Sequence, residues 1–599
     1  MKKQERIEFK HKVVVLGIDA LSPKIMDRLM AEGRLPHFQQ LKDHGSYSPL
    51  KTVNPPQSPV AWASFATGRN PGKHGIFDFI KRDPANYKIE LALSHIDQGK
   101  AKPVVHGKRF WQYLSEKKIP VTVISCPMTF PPDKVFGKML SGMGVPDILG
   151  TEGTFSFIAS ERSPIFGNLT GPKVETFKGV VNVKVPFKAE VGRDQVILKY
   201  QGNEVLLKVG EWSGWQEVVF DLGWFRKAKG IFKFYLVETS PKCKLYISPI
   251  NMDPRDPSFP IAYPKHYSKL LAEESGLFYT RGMPFDMWGL NEGHLDEKAF
   301  LMQVEDNFSQ KSALLDKELS DFDSGVFYFY FGAVDVIQHM FWRYIDEGHP
   351  LYEEDAPAEY REMINRWYER MDEVVGRVMG SLGENDTLII LSDHGFGTFR
   401  RSANINNWLR EHGYLYLKDQ EALRGDPLLS DIDWSKTKAY AIGFNSIYLN
   451  VAGREAEGIV KPGKEMEDLK DDIMRNMRLW KDPLSDEPVI NDIYERDEVF
   501  WGDQISQAPD LLMGFNEGYG ASTRTAIGAV AFRLLEDNLK KWSGSHLFDA
   551  ALVDGVIFSN RKMTGDAPGI IDLAPSILKL TGFSEDMIAE FDFDGRALF

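Results

Sequence analysis

Short uninterrupted apolar runs, each leading to a carboxylate, set the pattern of this chain. Lys12 to Asp19 reads Lys-Val-Val-Val-Leu-Gly-Ile-Asp, and Val326-Phe-Tyr-Phe-Tyr-Phe-Gly332 runs on into Ala-Val-Asp335. A third stretch, Asp386-Thr-Leu-Ile-Ile-Leu-Ser-Asp393, repeats the arrangement. Runs apolar at every position suit strands buried on both faces of a parallel sheet. Helical texture lies between them, at Pro23 to Glu32, at Phe110 to Lys118 ahead of a strand at Val121 to Ser125, and at Asp296 to Leu319. This alternation predicts an α/β fold, a mainly parallel sheet sandwiched by helices. In such sheets functional groups collect at the carboxyl ends of strands, where Asp19, Asp335 and Asp393 fall.

From about Gly150 to Asp253 the period changes to alternation of apolar and polar residues. Examples are Val180 to Val185, Val196 to Tyr200, Glu204 to Val209, Glu217 to Phe220, Ile231 to Val237 and Lys244 to Ile247, separated by Gly, Asn and Asp turns. That is the pattern of an antiparallel sandwich or barrel. Its aromatic residues Trp212, Trp215, Phe220, Trp224 and Phe225 are expected to pack in a core; a face for a glycan or protein partner is their other use. Between Arg400 and Lys540 the texture is mixed, with strand-like Ala439 to Val451 and an amphipathic helix near Glu465 to Leu479. The expected organisation is core (1–150), inserted β-sandwich-like module (151–255), core (256–400), cap subdomain (401–540) and core again (541–599).

Composition narrows the function classes. With 43% hydrophobic and 26% charged residues, the 599-residue chain can build large cores and divides into several units. A net charge of −13 argues against a nucleic-acid binder, which must neutralise phosphates with Lys and Arg. Two cysteines, Cys126 and Cys243, supply neither a disulfide framework nor a thiolate cluster. The start is basic (Met1-Lys-Lys), but the apolar run after it is broken by Asp19, so no signal peptide is read. No apolar run approaches the ~18 residues of a membrane span, and a cytoplasmic location is expected.

Candidate chemistry begins at Asn54-Pro-Pro-Gln-Ser-Pro-Val-Ala-Trp-Ala-Ser-Phe-Ala-Thr-Gly68. Serine followed by proline and a breaker-free run predicts Ser58 as a helix N-cap, with its hydroxyl among free backbone donors that favour an anion. By itself this is a capped helix. The acidic and imidazole residues change the picture. His339 follows Asp335 by four residues, His394 is adjacent to Asp393, and His546 follows Ser543-Gly-Ser. Six residues sort into two triplets, Asp335, His339, His546 and Asp19, Asp393, His394, each mixing carboxylate with imidazole. Such ligand sets suit Zn²⁺, with Mn²⁺ as the alternative, and two divalent ions about 4 Å apart can clamp an in-line phosphoryl displacement. Of the remaining histidines only His74 is a candidate to stand behind the ligands.

The order Asp, Ser before Thr-Gly, Asp-x-x-x-His, Asp-His-Gly and Gly-x-His resembles the alkaline phosphatase superfamily, specifically the type I phosphodiesterase/nucleotide pyrophosphatase family. The resemblance covers 12–150, 270–400 and 540–582, including Asp572-Leu-Ala-Pro-Ser576, and not the β module or much of 400–540. It implies an alkaline-phosphatase-like fold and one zinc on Asp335, His339 and His546. A second zinc would sit on Asp19, Asp393 and His394 with Ser58. Ser58, nine residues before Thr67, matches the nucleophile, so the implied activity is phosphodiester or pyrophosphate hydrolysis through a phosphoseryl intermediate, with a small-molecule phosphoester as substrate. The family generally carries Thr where Ser58 stands, and an Asn that touches phosphate where this chain has Phe79. Sulfatases need x-Pro-x-Arg after the nucleophile, and Ser58-Pro-Val-Ala-Trp lacks it. A phosphomonoesterase or phosphoryl transferase would use the same groups. A non-catalytic binder is the third reading, opposed by the cost of burying carboxylates without a cation.

Overall fold

A computed structural model describes residues 9–97, 99–176, 179–419 and 427–599; the basic start, Met1 to Lys3, lies outside them. One eight-stranded sheet organises the core. In chain order its strands are β1 (Lys12–Ile18), β2 (Ser46–Leu50), β3 (Val121–Cys126), β4 (Gly137–Ser141), β5 (Ala262–Tyr263), β6 (Gly325–Phe331), β7 (Thr387–Leu391) and β8 (Gly555–Ser559). They lie in the order β5-β4-β3-β6-β1-β7-β8-β2. The neighbours from β4 to β7 pair in parallel, while β5, β8 and β2 are added antiparallel at the two sides.

Alternation along the strands fills two layers. Val14, Leu16, Ile18, Phe327, Phe329, Phe331, Leu388 and Ile390 point to one face. There they meet the helices Glu297–Ser320, Ala333–Phe341 and Met363–Gly380. Val13, Val15, Tyr328, Tyr330, Ile389 and Leu391 point to the other face. They pack on helix α1 (Ser58–Thr67) and on the helix Leu573–Leu580. Helices on both faces are what continuous apolar strands require, because neither face can meet water. α1 comes unusually close. A Cβ on Gly17 of β1 would stand 2.5 Å from the Tyr328 hydroxyl and 2.6 Å from the Trp62 ring, so only glycine fits there.

The inserted module forms three antiparallel sheets around its own apolar core. The run Ile231 to Val237 does not stay one strand: it breaks at Lys233 into Lys227–Phe232 and Phe234–Glu238, which join different sheets. At the break Lys233 pairs with Asp306 on the core at 2.7 Å. Core packing was expected of five aromatic residues; Phe220 fulfils it, whereas Trp224 and Phe225 are fully exposed on the turn of the 216–232 hairpin. Both have positive φ (50° and 62°), and a turn of that shape throws its side chains outward.

Residues 401–540 build a four-stranded antiparallel sheet, Ala439–Ile442, Ser446–Leu449, Leu511–Phe515 and Ile490–Glu495, covered by the helix Lys464–Arg478. They also provide partners for Gly397–Ala403, the strand that leaves the end of β7. Among the described residues no helix is long and apolar enough to cross a membrane.

Candidate active site

β6, β1 and β7 are adjacent and parallel, with Ile18 beside Phe331 and Gly17 beside Leu391. Their carboxyl ends therefore open on one spot. Asp19 follows β1 directly and Asp393 lies two residues beyond β7. Asp335 stands in the first turn of helix α2 (Ala333–Phe341), which starts immediately after β6. One turn further on, the same helix presents His339, whose Nε2 is 3.4 Å from Asp335 Oδ1. His546 arrives from the far end of the chain. Gly544 and Ser545 pair with Thr398 and Gly397, which fixes it beside the segment that carries His394. The His394 and His546 rings stack at 3.6 Å.

Ser58 is buried and is the first residue of α1, not its cap. The cap position belongs to Gln57, in extended conformation, and Pro59 is the second helical residue. Proline fits anywhere in a first turn whose N–H groups have no helical partner, so the Ser-Pro pair sets the helix start only to within a residue. Freed from capping, the Ser58 hydroxyl donates to His394 Nε2 at 3.1 Å. Gln57 fixes the loop before it: its Nε2 donates to Asp78 at 2.9 Å and its Oε1 accepts from the Phe79 N–H at 3.0 Å. The Phe79 ring lines the cavity in front of Ser58.

The imidazoles share one device. Nδ1 of His339 lies 2.8 Å from the Gly544 carbonyl, Nδ1 of His394 3.0 Å from the Gly395 carbonyl, and Nδ1 of His546 2.7 Å from the Pro56 carbonyl. A carbonyl can only accept, so each Nδ1 carries the proton and each Nε2 presents a lone pair. Those lone pairs face carboxylate oxygens. His394 Nε2 is 3.2 Å from Asp393 Oδ2 and 3.5 Å from Asp19 Oδ1, and His546 Nε2 is 3.9 Å from Asp335 Oδ1. Asp19 Oδ1, Asp335 Oδ1 and Asp393 Oδ2 are buried with no hydrogen-bond donor. Acceptor facing acceptor in a dry site is repulsive unless cations lie between them.

The donor sets fit metal ions. Asp19, Asp393 and His394 offer atoms within 4.8 Å of one another, as do Asp335, His394 and His546. The electrostatics of the protein groups alone agree. Burial, then the Asp393 and Asp335 charges, pushes Asp19 well above the carboxylate range. Burial likewise pushes Asp393 up to about 7. On Asp335 burial acts upward too, but the neighbouring imidazoles, His339 first, hold it down at about 2. Burial lowers His394 and His546, keeping their ring nitrogens neutral and able to ligate.

The seven residues singled out in the sequence lie around one spot, Asp19, Ser58, Asp335, His339, Asp393, His394 and His546, but the second close group has His394 where the sequence triplet had His339, which stands beside it 3.4 Å from Asp335. His74 does not join them; it is buried and bonded to Ser64 Oγ at 2.8 Å. The groups behind the site carry no sequence signal. Tyr330 donates to Asp19 Oδ2 at 2.6 Å and Trp62 Nε1 donates to the same oxygen at 3.3 Å, yet both read as core aromatics. Asn445, 3.3 Å from Gln57, comes from a hairpin 388 residues away in the chain.

The chain matches the pattern of the family described as Type I phosphodiesterase / nucleotide pyrophosphatase over residues 13–192 and 247–538. This match enters the β module and spans nearly all of 401–538, further than the motifs indicated, and it stops before 540–582. The motifs are sparse in 401–538 because that segment serves the site through backbone pairing and Asn445, not through ligand spacing. No curated protein matches the chain. Among solved structures, phosphonoacetate hydrolase from Sinorhizobium meliloti 1021, in complex with phosphonoformate, is similar at 12% identity, with 96% of each chain covered and a TM-score of 0.46. Human ectonucleotide pyrophosphatase / phosphodiesterase 5 is similar at 12% identity, covering 96% of this chain and 95% of that one, with a TM-score of 0.41. With the family pattern matched over most of its length, the chain belongs to the type I phosphodiesterase / nucleotide pyrophosphatase family and is a hydrolase of phosphoric ester bonds.

Proposed function

We propose that the protein is a phosphodiesterase that works through a phosphoseryl intermediate on Ser58 at a site for two divalent cations, Zn²⁺ first among them. Asp19, Asp393 and His394 would hold one cation, and Asp335, His339 and His546 the other. When bound, the ions supply the positive charge that clamps the attacking and leaving oxygens of an in-line displacement. The observation that carries this reading is the meeting of the Ser58 hydroxyl with three orphaned carboxylate oxygens and three imidazole lone pairs.

The protein's own groups divide the work. Ser58 Oγ, its proton lost to solvent because the neighbouring positive charge favours the alkoxide, attacks phosphorus; the phosphorus–oxygen bond to the leaving alcohol breaks, and that oxygen takes the electron pair and a proton from water. The positive end of the α1 dipole, where Ser58 stands, favours the developing negative charge. Trp62 and Tyr330 keep Asp19 in place, and the Pro56 carbonyl keeps the His546 ring turned toward Asp335. Water then attacks phosphorus, breaks the bond to Ser58 Oγ and releases the phosphomonoester. A diester is favoured over a monoester because a cavity opens directly on Ser58, giving the second ester group a place to lie.

The test is Ser58→Ala with bis(p-nitrophenyl) phosphate as substrate. Bound metal should be unchanged while kcat falls at least ~1000-fold, the scale seen when a nucleophile is removed. Retained turnover would reject Ser58 as the nucleophile. Comparison with p-nitrophenyl phosphate reports the diester preference.

A further inference from the structure

The cavity in front of Ser58 has a volume of about 550 Å³. At one end it is walled by Asp19, Ser58, Asp335, His339 and His546. The rest is a different chemical environment, a mainly apolar wall that includes Phe79, Met143, Phe278, Met283, Phe285 and Phe444. Away from the catalytic end its charged groups are Glu152, Arg281, Asp286 and Lys311, and of these Glu152 keeps one buried oxygen without a hydrogen-bond partner. Arg281 is tied to Asp286 at 2.6 Å and to the Pro284 carbonyl at 2.7 Å. The Lys311 ammonium donates to the Tyr330 carbonyl at 2.9 Å, and burial pulls its pKa to about 7. Burial pushes Glu152 up to about 7, toward its neutral form. At the mouth the cavity is apolar as well. Leu91, Trp288 and Ile527 line it while 47%, 50% and 42% exposed. Leu428, also exposed, stands beside Ile527 through a 2.7 Å backbone hydrogen bond.

A small polar alcohol needs no such wall. An apolar enclosure that begins at the nucleophile and ends in an exposed apolar rim fits a substrate part that gains by leaving water. We propose that the second ester group of the substrate is an extended apolar chain or ring system that fills this cavity, so that the enzyme's substrates are amphiphilic phosphoesters. The assignment rests on the phosphodiesterase reading for the place of the phosphate, and on the cavity wall for the rest. Phe79 takes part: its ring lies in the cavity wall, edge-on to that of Phe444 at 6.3 Å. Met143 and Met283 suit chains of varied shape, because an unbranched thioether repacks at little cost.

The experiment measures binding, by calorimetry, of monoalkyl phosphates from butyl to decyl to the full-length Zn²⁺-loaded protein, each below its micelle concentration. Six added methylenes should tighten Kd on the order of 100-fold, a part of the ~4-fold per methylene that full burial gives. Met283→Glu on the wall and Trp288→Ser at the half-exposed rim should each flatten that dependence to about fivefold or less, since each removes part of the apolar enclosure. A Kd that does not change with chain length overturns the proposal, as does a steep dependence that survives both substitutions. Hydrolysis of bis(p-nitrophenyl) phosphate by the same samples reads the phosphodiesterase assignment separately. No hydrolysis with a steep chain-length dependence would sink that assignment and support the cavity's; hydrolysis with a flat dependence would do the reverse.

Discussion

Two donors aimed at a single oxygen explain how Asp19 stays ordered among like charges. Tyr330 and Trp62 both bond Asp19 Oδ2, which leaves Oδ1 as the free donor atom toward a cation. Tyr330→Phe keeps the ring and removes the hydroxyl. Metal affinity should then fall about 10- to 100-fold, the usual cost of losing an outer partner of a ligand, while unfolding of the metal-stripped protein changes little. Chelator competition measures the first and thermal melting the second; unchanged affinity would mean that Trp62 alone suffices. This scale also shows where the sequence was readable. Carboxylate and imidazole ligands come in few types at recognisable spacings, so Asp335 with His339, and Asp393 with His394, stand out. Tyr330 sits in a run of aromatics in which nothing separates a hydrogen-bonding tyrosine from a packing one. Ser58 could be placed at a helix start but was read as its cap, since the same Ser-Pro pair serves a cap and a first helical residue alike.

At the scale of elements, β1 and α1 touch through Gly17, and that contact sets the distance between the sheet end and the nucleophile. Gly17→Ala would push a methyl group against Trp62 and Tyr328. Overpacking of this kind costs about 1–3 kcal/mol, expected as a lower denaturant midpoint. Turnover should fall further than the stability loss explains, because α1 carries Ser58 and its Trp62 holds Asp19; normal turnover in a destabilised protein would show that α1 can shift without moving Ser58. The parallel strands were legible because burial on both faces demands an unbroken apolar run. The break at Lys233 was not, because the switch between sheets and the Lys233–Asp306 pair belong to tertiary packing, which the local apolar pattern does not record. The exposure of Trp224 and Phe225 escaped for a like reason: backbone conformation at a turn, not hydrophobicity, decides where their rings point.

Across the whole molecule, the buried carboxylates make stability depend on pH and metal together. Asp393 titrates at about 7 in the folded protein against an ordinary 3.8, and Asp19 is raised in the same direction. A raised carboxyl pKa means the folded state holds its proton longer than the unfolded chain does. The stability it contributes is therefore full below pH 3.8 and is lost as pH rises to about 7. In the metal-stripped protein these two carboxyls should therefore pull heat stability down between pH 5 and about pH 7, against the opposite pull of the lowered His394 and His546, and Asp393→Asn should remove part of that downward pull. Saturating Zn²⁺ should reverse the slope, adding about 4 kcal/mol at a thousandfold excess over Kd. Melting curves with and without chelator across that range provide the check; identical pH profiles would deny that these carboxylates meet a cation.

The carbonyl that orients His546 belongs to Pro56, two residues before the nucleophile, although 490 positions separate the bonded pair. Synthesis from the amino end therefore delivers Ser58 long before the imidazole that completes its surroundings. A growing polypeptide must emerge past residue 546 before the reactive assembly can close. Ester-cleaving power is thereby withheld from every partial product, since a chain cut short of residue 546 lacks this imidazole together with β8 and the helix Leu573–Leu580.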